Sequence, residues 1–322
     1  MLRTRLCDLL GIKHPIISAP MAGAARAELA AAVSAAGGFG LIGGTGDGPD
    51  WLRGQIRAVR ERTDRPFGVG FISSFPGLDE LVQVALDERV AAIAHSFADP
   101  SPYVAAAHEA GVMVFAQVQT VARAVSVARA GVDVIAAQGT EAGGHTGYSG
   151  TLPLVPTVVD VAGGIPVVAA GGIADGRGLA AVLMLGAEGA WIGTRFVASA
   201  EAITPAWGKQ QVIEASADDT VLTKAYDLVS GAPFPGGIGD RVLRNTFTNA
   251  WHGRDHDVLT RRDDLAAQVR AATTQGDGSI APTRAGNAAG LIDAVEPAGE
   301  IVRRLVAEAE RVLRERPGNV LR

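Results

Sequence analysis

Eight short apolar runs, each separated from the next by an Ala-rich or amphipathic stretch, fill the first two hundred residues of the chain. The runs are Ile16–Ala19, Phe39–Ile42, Phe67–Phe71, Ala91–His95, Met113–Gln117, Val132–Gln138, Pro166–Ala170 and Gly189–Gly193. They are too short for buried helices and apolar throughout rather than alternating, which is the pattern of parallel strands covered on both faces. The intervening segments predict helices over Arg26–Ala36, Asp50–Arg62, Leu78–Asp87, Pro102–Ala110, Val121–Ala130 and Gly176–Leu185. Glycine follows several of them, as at Ala36-Gly37, Ala110-Gly111, Ala130-Gly131 and Leu185-Gly186, where it lets the backbone turn left-handed at a helix end. Alternation of strand and helix means an α/β protein. A count of eight units predicts a closed (β/α)8 TIM barrel ahead of the alternative, an open doubly wound sheet.

After Ala200 the rhythm breaks. Residues 201–284 mix Pro, Gly and charged residues around one expected helix, Trp207–Ala217, and an expected loop, Gly231–Ile238. They are read as an inserted, smaller cap region before the C-terminal helix, with residues 1–200 and 285–322 forming the barrel. An amphipathic helix over Ala298–Glu315 is expected to pack back on that barrel.

Charge narrows the function. The net charge is −5 with acids and bases interspersed, so no basic face invites nucleic acid or an anionic membrane. No apolar run reaches the ~18 residues of a membrane span. The first residues lack the apolar core of a secretory signal, and a cytoplasmic location is expected. Cys7 is the single cysteine, which excludes an intrachain disulfide framework; a buried structural thiol is preferred to a reactive one.

Barrel enzymes carry their chemistry on the loops after the strands. Here those positions offer Ala19, Pro20 and Met21, then Gly43 and Gly44, Ser73 and Ser74, His95, Gln117, Gln138, Gly171 and Gly172, and Gly193 and Thr194. No strand ends in a carboxylate cluster for Mg²⁺, and no metal site is expected. None ends in Lys, since the chain has only Lys13, Lys209 and Lys224, which argues against a Schiff-base aldolase. Amides, glycines and histidines remain, and they suit an organic cofactor. Glycines at the tips of the last two strands let backbone N–H groups approach a phosphate, and Asp175 with the helix after it adds a capped N-terminus nearby. The letters Gly38-Phe39-Gly40-Leu41-Ile42-Gly43 match a dinucleotide fingerprint, but they follow a helix and open a strand, the reverse of what that motif needs.

His145 sits in a glycine-rich loop after strand six, where an imidazole can take a proton from a carbon acid or donate to a developing anion. Glu141 either orients that loop or is solvated. His95 either faces the cofactor or substrate or is a satisfied structural side chain. Arg241 and Arg244 are two more cations with open readings, a clamp for an anionic substrate or ordinary surface arginines. His252 and His256 are four apart among acids, but without a third ligand they read as a solvated charged loop.

The stretch 139–147 resembles the nitronate monooxygenase family, once called 2-nitropropane dioxygenases. The likeness takes in His14-Pro15-Ile16, Ala19-Pro20-Met21, the run from Ala169 to Asp175, the run from Ile192 to Phe196, and Gly290-Leu291-Ile292. It covers nearly the whole barrel. Flavin-dependent enoyl-ACP reductases and NADH:quinone reductases carry similar segments, including the Gly-Gly-His. The resemblance implies FMN, with its phosphate on Gly171, Gly172, Gly193 and Thr194. It puts Ala19, Pro20 and Met21 along the ring, Gln117 and Gln138 at the polar edge, Gly144 beside the cofactor, and His145 as active-site base. The implied reaction is oxidation of an alkyl nitronate, or of the parent nitroalkane, by oxygen to a carbonyl compound and nitrite. An NAD(P)H-dependent flavin reductase of quinones or enoyl thioesters is the alternative, a non-catalytic flavin-binding sensor the second, and a homodimer is the candidate assembly. Where relatives often carry Asn after strand three, this chain has Gly70, and 201–284 matches them poorly.

Overall fold

A computed structural model describes residues 2–321. All eight predicted strands form one parallel sheet. They are β1 (Ile16–Ser18), β2 (Gly40–Gly43), β3 (Phe67–Ile72), β4 (Ala92–Ser96), β5 (Met113–Val118), β6 (Val134–Gln138), and, after a short outlying strand β7 (Gly144–Thr146), β8 (Val167–Ala170) and β9 (Gly189–Ile192). The order β1-β9-β8-β6-β5-β4-β3-β2 returns on itself through a bridge between Ile17 and Phe39. Ser18 N–H donates to the Phe39 carbonyl at 3.0 Å and Phe39 N–H to that of Ile16 at 2.8 Å, so the cylinder is closed. The fold is the TIM barrel that the count of eight predicts.

The pleat sorts side chains into two cores. Ala92, Ala94, Phe115, Val134, Ala136, Val168 and Trp191 point inward, where Phe39, Phe115 and Trp191 fill the space that the alanines leave. Each fully buried Phe contributes about 1.5–3 kcal/mol relative to exposure. The helix Arg5–Leu10, not anticipated from the sequence, closes the amino end of the barrel with Leu6, Cys7 and Leu10. Cys7 is wholly buried there, in keeping with a structural thiol. The alternate positions, Ile93, Val114 and Ile135, face outward onto the helix layer.

Two of the predicted helices, Leu78–Asp87 and Val121–Ala130, have their expected bounds. Gly40 opens β2 against the preceding helix, and a Cβ there would lie 2.0 Å from the Ala30 carbonyl. Close helix–strand packing, not a phosphate, explains that glycine. The helix Thr151–Val161 was unforeseen, since Pro156 in its interior argues against one. The last helix runs from Ala298 to Val320, past the expected end, and packs on the helix Gly176–Met184, whose Gly176 N–H donates to Glu308.

Residues 201–284 contribute β10 (Thr220–Thr223), β11 (Gly239–Leu243) and several helices, among them Ala206–Glu214 and Ala225–Ser230. Val221, Tyr226, Val242, Phe247 and Leu265 form a separate core there. The outlying β7 does not join the barrel. It pairs antiparallel with β11, which pairs with β10, so three barrel-side residues complete the sheet of this region. Among the described residues, no helix is long and apolar enough to cross a membrane.

Candidate active site

The carboxyl rim of the barrel collects the residues that sequence singled out. Ala19, Pro20 and Met21 follow β1, Gln117 and Gln138 are on the inward faces of β5 and β6, Gly171 and Gly172 follow β8, and Gly193 and Thr194 follow β9. All but Gln138 keep some exposure, so they form one open surface. Adjacent strand pairing puts the two glycine turns side by side, because Ala170 lies opposite Trp191.

Backbone geometry explains the glycines. Gly171 and Gly172 have φ of +98° and +76°, a region that other residues enter at a cost. Among the described residues, the N–H groups of Gly171, Gly172 and Gly193 have no protein acceptor. Unpaired amides at adjacent tips are the donor set that an oxyanion requires, so these residues fit a phosphate group. Asp175 caps the following helix by accepting from Gly178 N–H at 3.0 Å. At Gly70 a Cβ would stand 2.2 Å from the ring of Pro20, so the absence of Asn there reflects a close approach of the β1 tip.

Two glutamines and a serine floor the rim. Ser96 Oγ donates to Gln117 Oε1 at 3.1 Å, and among the described residues the Gln117 Nε2 has no protein partner. Gln138 accepts from Gln119 at 2.9 Å and donates to the His145 carbonyl at 3.1 Å. Gln138 therefore fixes the histidine-bearing loop.

That loop is held from all sides. The Glu141 carboxylate accepts from Thr151 N–H at 2.9 Å and Thr151 Oγ at 2.8 Å, capping the unforeseen helix at its N-terminus. Of its two readings, loop orientation is the one the contacts support. Arg241 donates to the Thr140 carbonyl at 2.7 Å and to Thr220 Oγ at 3.1 Å, so it braces the loop rather than offering a free clamp; Arg244 is exposed. Gly144, at φ +70°, begins β7.

His145 is mostly buried, with 10% of its side chain exposed, and its Nε2 lies 2.8 Å from Asp227 Oδ1. Phe234 stacks on the imidazole at 3.4 Å between ring centres and 10° between planes, and Phe97 meets it edge-on at 6.2 Å. Phe75 touches Phe234 in turn, making an apolar wall of three rings. Phe97 holds φ of +68°, an uncommon setting for an aromatic residue. Asp240 lies opposite His145 in the β7–β11 ladder, fully buried, and ion-pairs with Arg284 (Nη2–Oδ2 2.9 Å). Asp227, Asp240, Arg284, Gln119 and the three phenylalanines were not found from sequence, for no motif or spacing ties them to His145.

His95 resolves to its structural reading. It points outward into the helix layer, stacked on Tyr103 at 5.0 Å, with Nδ1 bonded to Ser73 Oγ at 2.9 Å. Burial pushes its pKa down to about 4. His252 and His256 are exposed, His256 within the helix Asp255–Thr260 rather than a loop, and among the described residues neither belongs to a cluster of metal-ligating groups.

Comparison with known proteins places the chain in a family. Residues 3–81 and 74–308 match the family described as nitronate monooxygenase. A (3aS,4S,5R,7aS)-5-hydroxy-7a-methyl-1-oxo-octahydro-1H-indene-4-carboxyl-CoA dehydrogenase of Mycobacterium tuberculosis is 38% identical over 76% of the chain, which spans 66% of that relative's own length. A nitronate monooxygenase of Neurospora crassa is 36% identical over 94% of this chain and 91% of its own. The solved structure of FabK from Thermotoga maritima superposes with a TM-score of 0.90 at 39% identity, covering 99% of this chain and 100% of that one.

Proposed function

The chain belongs to the nitronate monooxygenase family, and on that premise we propose an FMN-dependent oxidoreductase that acts with oxygen on alkyl nitronates, giving a carbonyl compound and nitrite. The observation that carries this reading is a juxtaposition on one rim. Among the described residues, the glycine amides at the tips of β8 and β9 are unpaired, and the loop after the neighbouring strand β6 carries an imidazole whose Nδ1 has no protein partner. FMN, when bound, supplies the redox chemistry. Gly171, Gly172, Gly193 and Thr194 would hold its phosphate, Gln117 and Gln138 its polar edge, and Ala19, Pro20, Met21 and Gly144 would flank it. His145 takes the proton from a neutral nitroalkane, or steadies the charge of a nitronate already formed. Phe75, Phe97 and Phe234 keep water from the reacting carbon. Residues 201–284 serve as the cap that adds Phe234 to this apolar wall, and a cytoplasmic setting belongs to the same proposal.

A second reading, an NAD(P)H-dependent flavin reductase of quinones or enoyl thioesters, is favoured by one observation, the relative named as a carboxyl-CoA dehydrogenase. Anaerobic mixing separates the two. The purified protein is expected to be yellow and to release FMN on denaturation. Its flavin absorbance should change on mixing with propane-2-nitronate and stay constant with NADH. Bleaching by NADH with no response to the nitronate would move the chain to the second reading, and a colourless protein indifferent to added FMN would remove the cofactor.

A further inference from the structure

The reading above uses His145 but leaves its buried partner without a role. Asp227 comes from the helix Ala225–Ser230, 82 residues beyond the histidine, and its side chain is 14% exposed. We propose that Asp227 is the positioning residue of His145, accepting the proton-bearing Nε2 and so leaving the lone pair on Nδ1 to receive the substrate's proton. This rests on the reading of His145 as the base.

The argument is one of donor and acceptor supply. A neutral imidazole has one N–H and one lone pair, while a carboxylate only accepts. At 2.8 Å the Nε2 must therefore carry the hydrogen. The ring cannot easily turn over to exchange its nitrogens, because Phe234 covers one face and Phe97 abuts its edge. The other charged groups around it are already committed. Glu141, on the same loop, is held by Thr151, and Arg241, on β11, by Thr140 and Thr220. Asp240, also on β11, has a donor atom within 4.8 Å of those of His145 and Asp227, a spacing that a metal ion could bridge. Arg284 already supplies its positive partner, with Nε donating to Oδ1 at 3.1 Å. Asp240 in turn raises the Arg284 pKa. Among the described residues, Asp227 is the one charged side chain that bonds the imidazole.

In the step itself a C–H bond of the nitroalkane breaks and its proton forms an N–H bond at Nδ1. The electron pair left on carbon delocalises into the nitro group, which gives the nitronate. The imidazolium keeps its Nε2–H on Asp227, whose negative charge stabilises the new cation. Because the helix 225–230 supplies this charge and β7 the base, the base is complete only when residues 201–284 are docked on the rim.

Nitrogen-15 NMR of the imidazoles in the full chain, with and without FMN, reads the tautomer directly. The chain has six histidines, and His145→Gln assigns the signal. Expected is the pattern with hydrogen on Nε2 in the unmodified protein; hydrogen on Nδ1 would overturn the proposal whatever the variants do. Asp227→Asn offers a donor as readily as an acceptor, which favours the wrong tautomer. It should lower kcat on a nitroalkane by about 10²–10⁴-fold, the usual worth of a positioned base, with the about 10⁴-fold loss of the same change in the serine-protease template at the upper end. KM should stay within about threefold and turnover of the preformed nitronate should fall much less. Asp227→Glu, which restores an acceptor, should recover part of the loss. An Asp227→Asn protein with unchanged nitroalkane kcat refutes the positioning role, provided His145→Gln has lost that activity. If His145→Gln keeps it, the base reading itself has failed.

Discussion

Gly171, Gly172 and Gly193 face the same proposed phosphate, yet substitution should affect them in three different ways. At Gly171 a Cβ would lie 2.8 Å from the Gly139 carbonyl and 3.0 Å from Ala142 N, at φ +98°. At Gly172 it would meet only the Glu141 side chain, at 3.3 Å and φ +76°. At Gly193, with φ −105°, it would make ordinary contacts with Ala19 and Met21 at 3.6 and 3.7 Å. The left-handed backbone alone costs a non-glycine residue about 1–2 kcal/mol, and forcing atoms into a packed site costs about 1–3 kcal/mol more. Without flavin, Gly171→Ala should lose on the order of 2–5 kcal/mol, Gly172→Ala about 1–2, and Gly193→Ala within about 0.5. With FMN at about 100 times Kd, the unmodified protein gains about 2.7 kcal/mol. Gly193→Val should fold as well as the parent without flavin and lose most of that increment. Urea unfolding of each variant with and without FMN measures both quantities. A Gly193→Val protein that keeps the full increment would show that no phosphate sits at this turn. A Gly172→Ala protein as stable as the parent would refute the backbone argument.

His145→Ala should slow nitroalkane turnover by about 10²–10⁴-fold and turnover of the preformed nitronate less, per bound FMN; equal losses would reduce His145 to a binding group. Glu141→Ala removes the cap of the helix 151–161 and should cost about 0.5–2 kcal/mol in urea unfolding, with unchanged stability as the refuting result. His95 is neutral in the fold because burial lowers its pKa from 6.5 to about 4. The stability it contributes is therefore complete above pH 6.5 and lost as pH falls toward 4, about 3 kcal/mol in all. His95→Gln should flatten that acid limb, and an equal pH slope in both proteins would contradict it.

How much of this was legible in the sequence follows from how local each cause is. A strand buried on both faces must be apolar at every position, so β1 to β6, β8 and β9 announce themselves within a few residues, and their tips with them. The rim residues Gly171, Gly172, Gly193, Gln117 and Gln138 are found by counting to the end of a strand. The helix Thr151–Val161 was hidden because its cap is not local: Glu141 supplies it from ten residues upstream, against the advice of Pro156. β7 was hidden for a related reason. Of its three residues only Thr146 favours a strand, too little to mark one, and they are extended because β11 pairs with them from almost a hundred residues away. That pairing sets Asp240 opposite His145, while Asp227 and Phe234 reach the imidazole from elsewhere in 201–284. The proposed phosphate side of the site is thus written in local pattern, and the proposed proton-handling side is written in tertiary contacts with a region that has no periodic signal. Substitutions within 201–284 can therefore change what the imidazole does while leaving the barrel, and the glycine turns that would hold the flavin, untouched.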